Sequence, residues 1–323
     1  MTLVVCPNLA VDRVLRASAV RPGGTMRCRA LQQQAGGKGA NVLRALRALG
    51  GGGELVGFAA GHSGRLIAEL AALEGLELRP LAGSGEARLS TVVLGDDGSV
   101  TRLYEQGPAV GAAGEEALLA AATRRPAAAG EWAVVDGAAP PRSSPGLYAV
   151  LCRGLRAVGY RVLVDAEGEQ LAGALRERPD IVKVNLAEAC SAVGEPEARC
   201  EDEALAGEAQ LAAAGLELSR RLVAAGAGAA VVTLGAAGAS ALLDGREWRV
   251  RTPPVAAVNP VGSGDCFAAG LVLGFERGEP VAAALALAAG AAAANAASPL
   301  TGHFDVAQAQ ELAGRASVGP PGR

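Results

Sequence analysis

Apolar and polar positions along the chain switch between two periods, and each switch marks an element. Leu3–Cys6 is a short apolar run stopped by Pro7 and Asn8, which predicts a buried strand. Val42, Leu43, Leu46 and Leu49 then fall on one helical stripe, and Gly50–Gly53 ends it. Leu55–Ala59 reads as a strand and Leu66–Leu73 as a helix. From Trp132 onward the alternation is regular. Strands are predicted at Val134–Val135, Val162–Val164, Ile181–Val184 and Ala230–Leu234. Helices are predicted at Leu147–Val158, Leu171–Arg178 and Leu216–Ala225, with a short one opening near Glu188. A hairpin through Gly245 follows. Repeated strand–helix units with short connections predict a parallel sheet covered on both faces. Ligands in such sheets sit beyond the carboxyl ends of the strands.

Two stretches break this rhythm. Leu89–Leu94 and Val100–Tyr104 flank Gly95-Asp96-Asp97-Gly98, a strong hairpin signal. Residues 14–34 also lack a helical period. Together they predict a second, smaller β element built from two insertions, at about 12–34 and 86–107. The reading is a single domain over 1–314, with 315–323 as a disordered tail.

Composition sharpens this picture in three places. Half of the 323 residues are apolar but only 3% are aromatic, so the core must be made of Ala, Leu and Val. Lys and Arg number 30 against 33 for Asp and Glu, a net charge of −3, which argues against a nucleic-acid partner. Leu285–Ala297 is Ala-rich but short and holds Gly290 and Asn295, so it reads as a packed helix rather than a membrane span. Met1–Ala10 has no basic start, so it reads as a strand rather than a signal peptide. The expectation is a cytoplasmic protein with no membrane partner. The six cysteines form no CxxC pair, and His62 and His303 are the only histidines. A zinc site is therefore not expected, and the cysteines read as reduced, buried small hydrophobes.

The most informative chemistry lies in Asn259-Pro260-Val261-Gly262-Ser263-Gly264-Asp265. Pro260 stops a strand, the glycines permit unusual backbone angles, and a helix runs from about Gly264 to Phe275. Unpaired N–H groups and the helix dipole make such a start an anion site. Asp265 is oddly placed if anion binding is the whole purpose. It makes sense as a base that takes a proton from an attacking hydroxyl while the N–H groups hold a phosphoryl group. The plainer alternative is a helix cap.

Four further segments each have a plain and a functional reading. Gly36-Gly37-Lys38-Gly39-Ala40-Asn41 is neither a Walker A loop nor a dinucleotide fingerprint, but it could let a sugar approach the backbone. Asn185 and Glu188 share one face of a helix turn, a spacing that suits either a capping box or the water shell of Mg²⁺. Thr233-Leu234-Gly235-Ala236-Ala237-Gly238 is either a glycine turn or a phosphate-facing loop. Asp12, Arg27, Arg88 and Arg102 fall in or beside the predicted β element, and several arginines around one site would bind a phosphorylated ligand.

Taken in order, these segments resemble the PfkB/ribokinase superfamily of carbohydrate kinases over roughly residues 3–310, and most closely its hexose-phosphate branch. The resemblance implies a Rossmann-like three-layer α/β/α fold with a small β-sheet lid that also forms a homodimer interface. It implies ATP and Mg²⁺ as cofactors. Asp265 would be the base, with Gly262, Ser263 and Gly264 forming the anion hole. Asp12, Gly37, Lys38 and Asn41 would bind the sugar. Arg88, with Arg27 and Arg102, would hold a phosphate already on it. Lys183, Asn185, Thr233, Gly235, Gly238 and Asn295 would line the nucleotide site, and Glu188 would hold Mg²⁺ through water.

The chain also departs from the family pattern. Asp136-Gly137-Ala138-Ala139-Pro140 stands where relatives often carry Ser-Gly-Ser-Leu-Pro, Ser90 stands for an Asn, and Met26 replaces an Asn before Arg27. The implied reaction is phosphoryl transfer from ATP to a phosphorylated ketohexose: fructose 1-phosphate, tagatose 6-phosphate or fructose 6-phosphate. Kinase action on a neutral sugar or nucleoside is one alternative, against which the arginines argue. A non-catalytic sugar-phosphate-binding regulator is another, against which the intact Gly262–Asp265 segment argues.

Overall fold

The computed structural model describes residues 1–195 and 207–321. The chain opens with β1 (Thr2–Asn8) and leaves the main sheet for β2 (Ala10–Ala17) and β3 (Arg29–Gly36). Helix α1 (Lys38–Ala48) returns it to β4 (Gly53–Phe58), and α2 (Gly61–Leu73) leads to β5 (Leu78–Leu81). A second excursion forms β6 (Arg88–Gly95) and β7 (Val100–Tyr104). Then come α3 (Ala112–Ala122), β8 (Trp132–Asp136), α4 (Leu147–Ala157), β9 (Arg161–Asp165) and α5 (Gly168–Arg176). They are followed by β10 (Ile181–Asn185), α6 (Leu186–Ala192), α7 (Glu208–Ala224) and β11 (Ala230–Thr233). The chain closes with β12 (Ala239–Leu243), β13 (Arg246–Arg251), α8 (Ser263–Glu276), α9 (Val281–Ala297), α10 (Val306–Arg315) and β14 (Ser317–Gly319).

Ten strands make the main sheet, in the order β14-β13-β12-β11-β10-β9-β8-β1-β4-β5. The run from β11 to β5 is parallel, and β12, β13 and β14 are antiparallel. Successive residues of the parallel strands feed two separate cores. Trp132 and Val134 of β8 join one with α1, α8 and α9, while Ala133 and Val135 join the other with α4, α5 and α7. Two-sided burial is why these strands read as unbroken apolar runs. The expected three-layer α/β/α arrangement is thus the observed one.

The two excursions assemble into a four-stranded sheet, β3-β2-β6-β7, the expected lid. Its seam is the parallel pair β2–β6. One register row runs Gln34–Asp12–Ser90–Tyr104 across all four strands. Val14 and Val92, two residues further along the same face, pack with Val261 of the anion loop, so this face looks onto the main domain.

With so few aromatics, close packing is reached by bringing backbones together. A Cβ on Gly270 of α8 would lie 2.7 Å from Ala288 Cα of α9, and one on Gly274 would lie 2.6 Å from Ala284 Cβ. These are distances no side chain could occupy.

Leu78–Leu81 joins the main sheet beside β4, its pairing with Leu55–Phe58 extending the parallel ladder. Two expectations need correction. The segment placed in a disordered tail holds β14, which pairs with β13 and satisfies that strand's open edge. Cys190 is disulfide-bonded, whereas Cys6, Cys28, Cys152 and Cys266 are free thiols, Cys28 exposed and the other three buried. Cys200 lies outside the described residues. Among the described residues no helix is long and apolar enough to cross a membrane.

Candidate active site

The sheet changes direction at β1, which pairs with β4 on one side and β8 on the other. Crevices at such switch points, beyond the carboxyl ends of the strands, are where α/β sheets bind ligands. The polar residues gather here. Asn8, Asp136, Asp165 and Asn185 end four of these strands at their carboxyl ends, and Asp136 and Asp165 meet Asp265 in the first turn of α8.

Gly262 makes that turn possible. Its φ of +85° is left-handed, and a Cβ would sit 3.0 Å from Thr301 Cγ2. The loop before it is pinned from below by two buried amides. Asn259 Oδ1 accepts the Val261 N–H at 3.1 Å, and its Nδ2 donates to Pro299 O and Thr301 Oγ1. Asn295 Nδ2 donates to Val261 O at 2.9 Å and to Ser263 Oγ at 3.0 Å, while its Oδ1 accepts the Gly302 N–H. The N–H groups of Gly264 and Asp265 have no backbone partner among the described residues, as befits a helix start.

Asp265 does not cap this helix: Gly262 is the cap residue, and no side chain bonds it. The Asp265 carboxyl instead accepts from Asn41 Nδ2 at 2.8 Å. It is 5% exposed. Burial pushes its pKa up to about 6, and Asp165 adds to the rise. Lys38, Lys183 and the Asn41 hydrogen bond oppose it.

Beside it lies a charge cluster built on the buried Asp165 and Lys183 and reaching the half-buried Lys38. Lys38 Nζ donates to Asp165 Oδ1 at 3.0 Å and stands 3.5 Å from Glu188 Oε1. Lys183 Nζ bonds the other Asp165 oxygen and donates to Gly264 O at 3.2 Å. Burial would raise the Asp165 pKa, but the two ammonium groups outweigh it and hold the carboxyl below its usual range. The same two ammonium groups pull on Asp136 but do not prevail there. It is fully buried, neither of its oxygens has a hydrogen-bond partner among the described residues, and burial with repulsion from Asp165 and Asp265 pushes its pKa well up. The carboxyl oxygens of Asp136, Asp165 and Asp265 come within 4.8 Å of one another. Such hard oxygen donors are the chemistry a magnesium ion selects.

The lid brings its own groups over this floor. Asp12 is buried, and burial raises its pKa against the pull of Arg44 and Arg88. Arg88 donates to Asn8 O at 3.2–3.3 Å. Burial raises the Tyr104 pKa, and the charges of Arg102, Asp12, Arg88 and Asp265 all act on it. Arg102 is on β7 and exposed, and Arg27 is exposed in the loop between β2 and β3.

The structure therefore gathers Asp12, Gly37, Lys38, Asn41, Lys183, Gly262, Ser263, Gly264 and Asp265, with Arg88 at the lid root. Arg27 is not brought to this floor. Asn185 and Glu188 form a full capping box, Asn185 Oδ1 accepting the Glu188 N–H and Glu188 Oε2 the Asn185 N–H. Glu188 Oε1 remains turned to Lys38. Thr233 stands at the carboxyl end of β11, and Gly235 is exposed with open space beside it.

Two residues expected to line the nucleotide site have structural partners of their own. Asn295 has its amide consumed by the anion loop. Gly238 has its missing side chain pressed against Val250 O, 2.1 Å from where a Cβ would stand. Sequence reasoning did not assign Asp136 and Asp165 to the site, nor Arg44, Gln34 and Tyr104. The first two share a signal that was available, an apolar strand ended by Asp at its carboxyl end.

The fold is that of the ribokinase-like kinases, a three-layer α/β/α domain under a β-sheet lid. The chain belongs to the pfkB family of carbohydrate kinases, whose model matches residues 1–307. It is 32% identical over 291 residues to a 1-phosphofructokinase of Rhodobacter capsulatus, covering 88% of each chain. Phosphofructokinase-2 from Escherichia coli in complex with fructose-6-phosphate superposes with a TM-score of 0.84 at 22% identity, over 97% of this chain and 98% of that one. A possible 1-phosphofructokinase from Thermotoga maritima superposes with a TM-score of 0.80 at 19% identity, over 99% of each. The chain is thus a sugar kinase of the phosphofructokinase type, a family that uses ATP.

Proposed function

We propose that the protein transfers the γ-phosphoryl group of ATP to a hydroxyl of a phosphorylated ketohexose, giving a ketohexose bisphosphate and ADP. The observation that carries this is the placement of Asp265. A buried carboxylate aimed by Asn41 stands at a helix start with free N–H groups, beside two lysines and under a lid with an arginine at its root.

Asp265 accepts the proton of the attacking hydroxyl. The N–H groups of Gly264 and Asp265 and the α8 dipole stabilise charge on the phosphoryl group as it passes. Lys183 ties Asp165 to the first turn of α8 and so fixes the loop against the floor. Asp12 and Asn41 bind sugar hydroxyls, with Gly37 letting the ring approach the backbone and Lys38 turned toward the phosphoryl path. Arg88 holds the phosphate already on the sugar, with Arg102 supplying further charge from the lid. Thr233, Gly235 and Asn185 border the nucleotide. Glu188 and Asp165, both beside Lys38, fit as oxygen donors to Mg²⁺ or to its water shell. When bound with ATP, the ion would neutralise phosphate charge. A homodimer joined through the lid sheet, whose strand β7 exposes Leu103, belongs to the same reading.

Fructose 1-phosphate is the favoured substrate, because the 32%-identical relative is a 1-phosphofructokinase. The test is ADP release with ATP and Mg²⁺ against fructose 1-phosphate, fructose 6-phosphate, tagatose 6-phosphate, free fructose, ribose and adenosine. Turnover confined to a ketohexose phosphate is expected. Turnover only with a neutral sugar or nucleoside would overturn the assignment of Arg88, and binding without turnover would point to a regulator.

A further inference from the structure

Arg44 stands one turn beyond Asn41 on α1 and is buried. A guanidinium donates and cannot accept, and all three of its nitrogens are engaged. Nη1 donates to Asn41 Oδ1 at 2.8 Å, Nη2 to Ala35 O at 2.7 Å, and Nε to Glu74 Oε2 at 2.6 Å. The other Glu74 oxygen accepts the Ala35 N–H at 3.0 Å. One ion pair thus grips both backbone groups of Ala35, the penultimate residue of lid strand β3, immediately before Gly36-Gly37. The next-door Gln34 is held too, its Nε2 donating to Thr301 O at 2.9 Å beside the anion loop.

An asparagine side chain has a donor end and an acceptor end, and nothing intrinsic decides which faces a neighbour. Here the decision is forced. The donor-only guanidinium requires Oδ1 of Asn41, so Nδ2 must point the other way, at Asp265 Oδ2. Were the amide reversed, its oxygen would face a carboxylate oxygen, and Asp265 would lose the donor that aims it.

We propose that Arg44 is a positioning residue for the base: by fixing the amide of Asn41 and gripping Ala35 together with Glu74, it couples the orientation of Asp265 to the seating of the lid strand. This deepens the kinase reading and rests on Asp265 being the base. Arg44 does not touch the reacting atoms. Its effect on the chemical step passes through Asn41.

The test is a double-mutant cycle on the full-length enzyme, using the sugar phosphate that the panel identifies. Arg44→Gln removes the donor-only constraint. It should lower kcat by about 100-fold, the scale of a small misplacement at a reacting centre, and leave KM for ATP within about twofold. Arg44→Lys keeps the charge but offers a point donor instead of a fork, so kcat should recover only in part. The combined Arg44→Gln/Asn41→Ala variant should be no slower than Asn41→Ala alone. Single effects that multiply in the double variant would overturn the proposal, as would Arg44→Gln with normal kcat. If Arg44→Gln does not fold, the same cycle with Arg44→Lys decides it by the same criterion. Asp265→Asn measured alongside separates the two readings. Normal turnover there removes the base, and the proposal with it. Lost turnover there, with multiplying Arg44 and Asn41 effects, removes the proposal alone.

Discussion

Replacing Asp265 by Asn should slow the enzyme and stabilise the protein, and the size of the second effect follows from the site. The Asp265 pKa rises from 3.8 to about 6 on folding, because burial and the Asp165 charge disfavour its ionised form. The native state therefore binds this proton more tightly than the unfolded chain does. Stability contributed by the group is fully present below pH ~4 and is lost as pH rises through about 6. A shift of about 2 units corresponds to roughly 3 kcal/mol of penalty at neutral pH. Asn carries no charge, and its oxygen can still accept from Asn41. The variant should thus exceed the parent by up to about 3 kcal/mol above pH 7 and match it near pH 4. For a chain of this size that is about 4 °C in Tm. The assay is thermal unfolding of both proteins from pH 4 to 8, with turnover measured in parallel. Turnover should fall by about 10²- to 10⁴-fold, the usual worth of a positioned base. In the parent, turnover should fall as pH drops through about 6, where the base becomes protonated. A variant that is no more stable at pH 7.5 than at pH 4, relative to the parent, would refute the electrostatic account. Near-normal turnover would refute the base.

Arg88→Ala should raise KM for the sugar phosphate far more than KM for ATP; equal effects in steady-state kinetics would reassign Arg88 to its hydrogen bond with Asn8. Glu188→Gln should raise the Mg²⁺ concentration needed for half-maximal rate while leaving Tm unchanged, since Gln can still accept the Asn185 N–H. An unchanged Mg²⁺ dependence would leave Glu188 as a helix cap. Gly238→Ala should destabilise by more than 1 kcal/mol, because its Cβ would meet Val250 O and its φ is +91°. Denaturant unfolding checks this, and a fully stable variant with weakened ATP binding would assign Gly238 to the nucleotide site instead.

Much of this was legible in the chain because the signals were local. The parallel strands read as apolar runs because both faces are buried, and the lid hairpin announced itself through Gly95-Asp96-Asp97-Gly98. Asp265 stood out because a carboxylate after two glycines conflicts with simple anion binding. What was not legible depended on partners distant in sequence. Asn295 and Gly262 are 33 residues apart, and nothing local says that the one supports the loop of the other. Gly238 looks like a phosphate turn until Val250 is placed across it. Arg44 lies on a helix and resembles any surface arginine; only the meeting of α1, α2 and β3 buries it. The strand at Ser317–Gly319 is three residues long, and its pairing comes from the open edge of β13, which the sequence does not display.

The alanine- and glycine-lined contact between α8 and α9 has a consequence for motion. Where two helices touch through backbone atoms, no side chain can change rotamer to absorb a displacement. The helix that carries Asp265 is therefore a fixed anvil. Gly270 lies five residues, about 7.5 Å, along the axis from Asp265, so even one added methyl group there would tilt the anvil and everything mounted on it. The lid has no such bolt, since its seam joins strands from two separate excursions and its strand β7 is exposed. Any closing stroke in the catalytic cycle is accordingly made by the cover, with the base standing still.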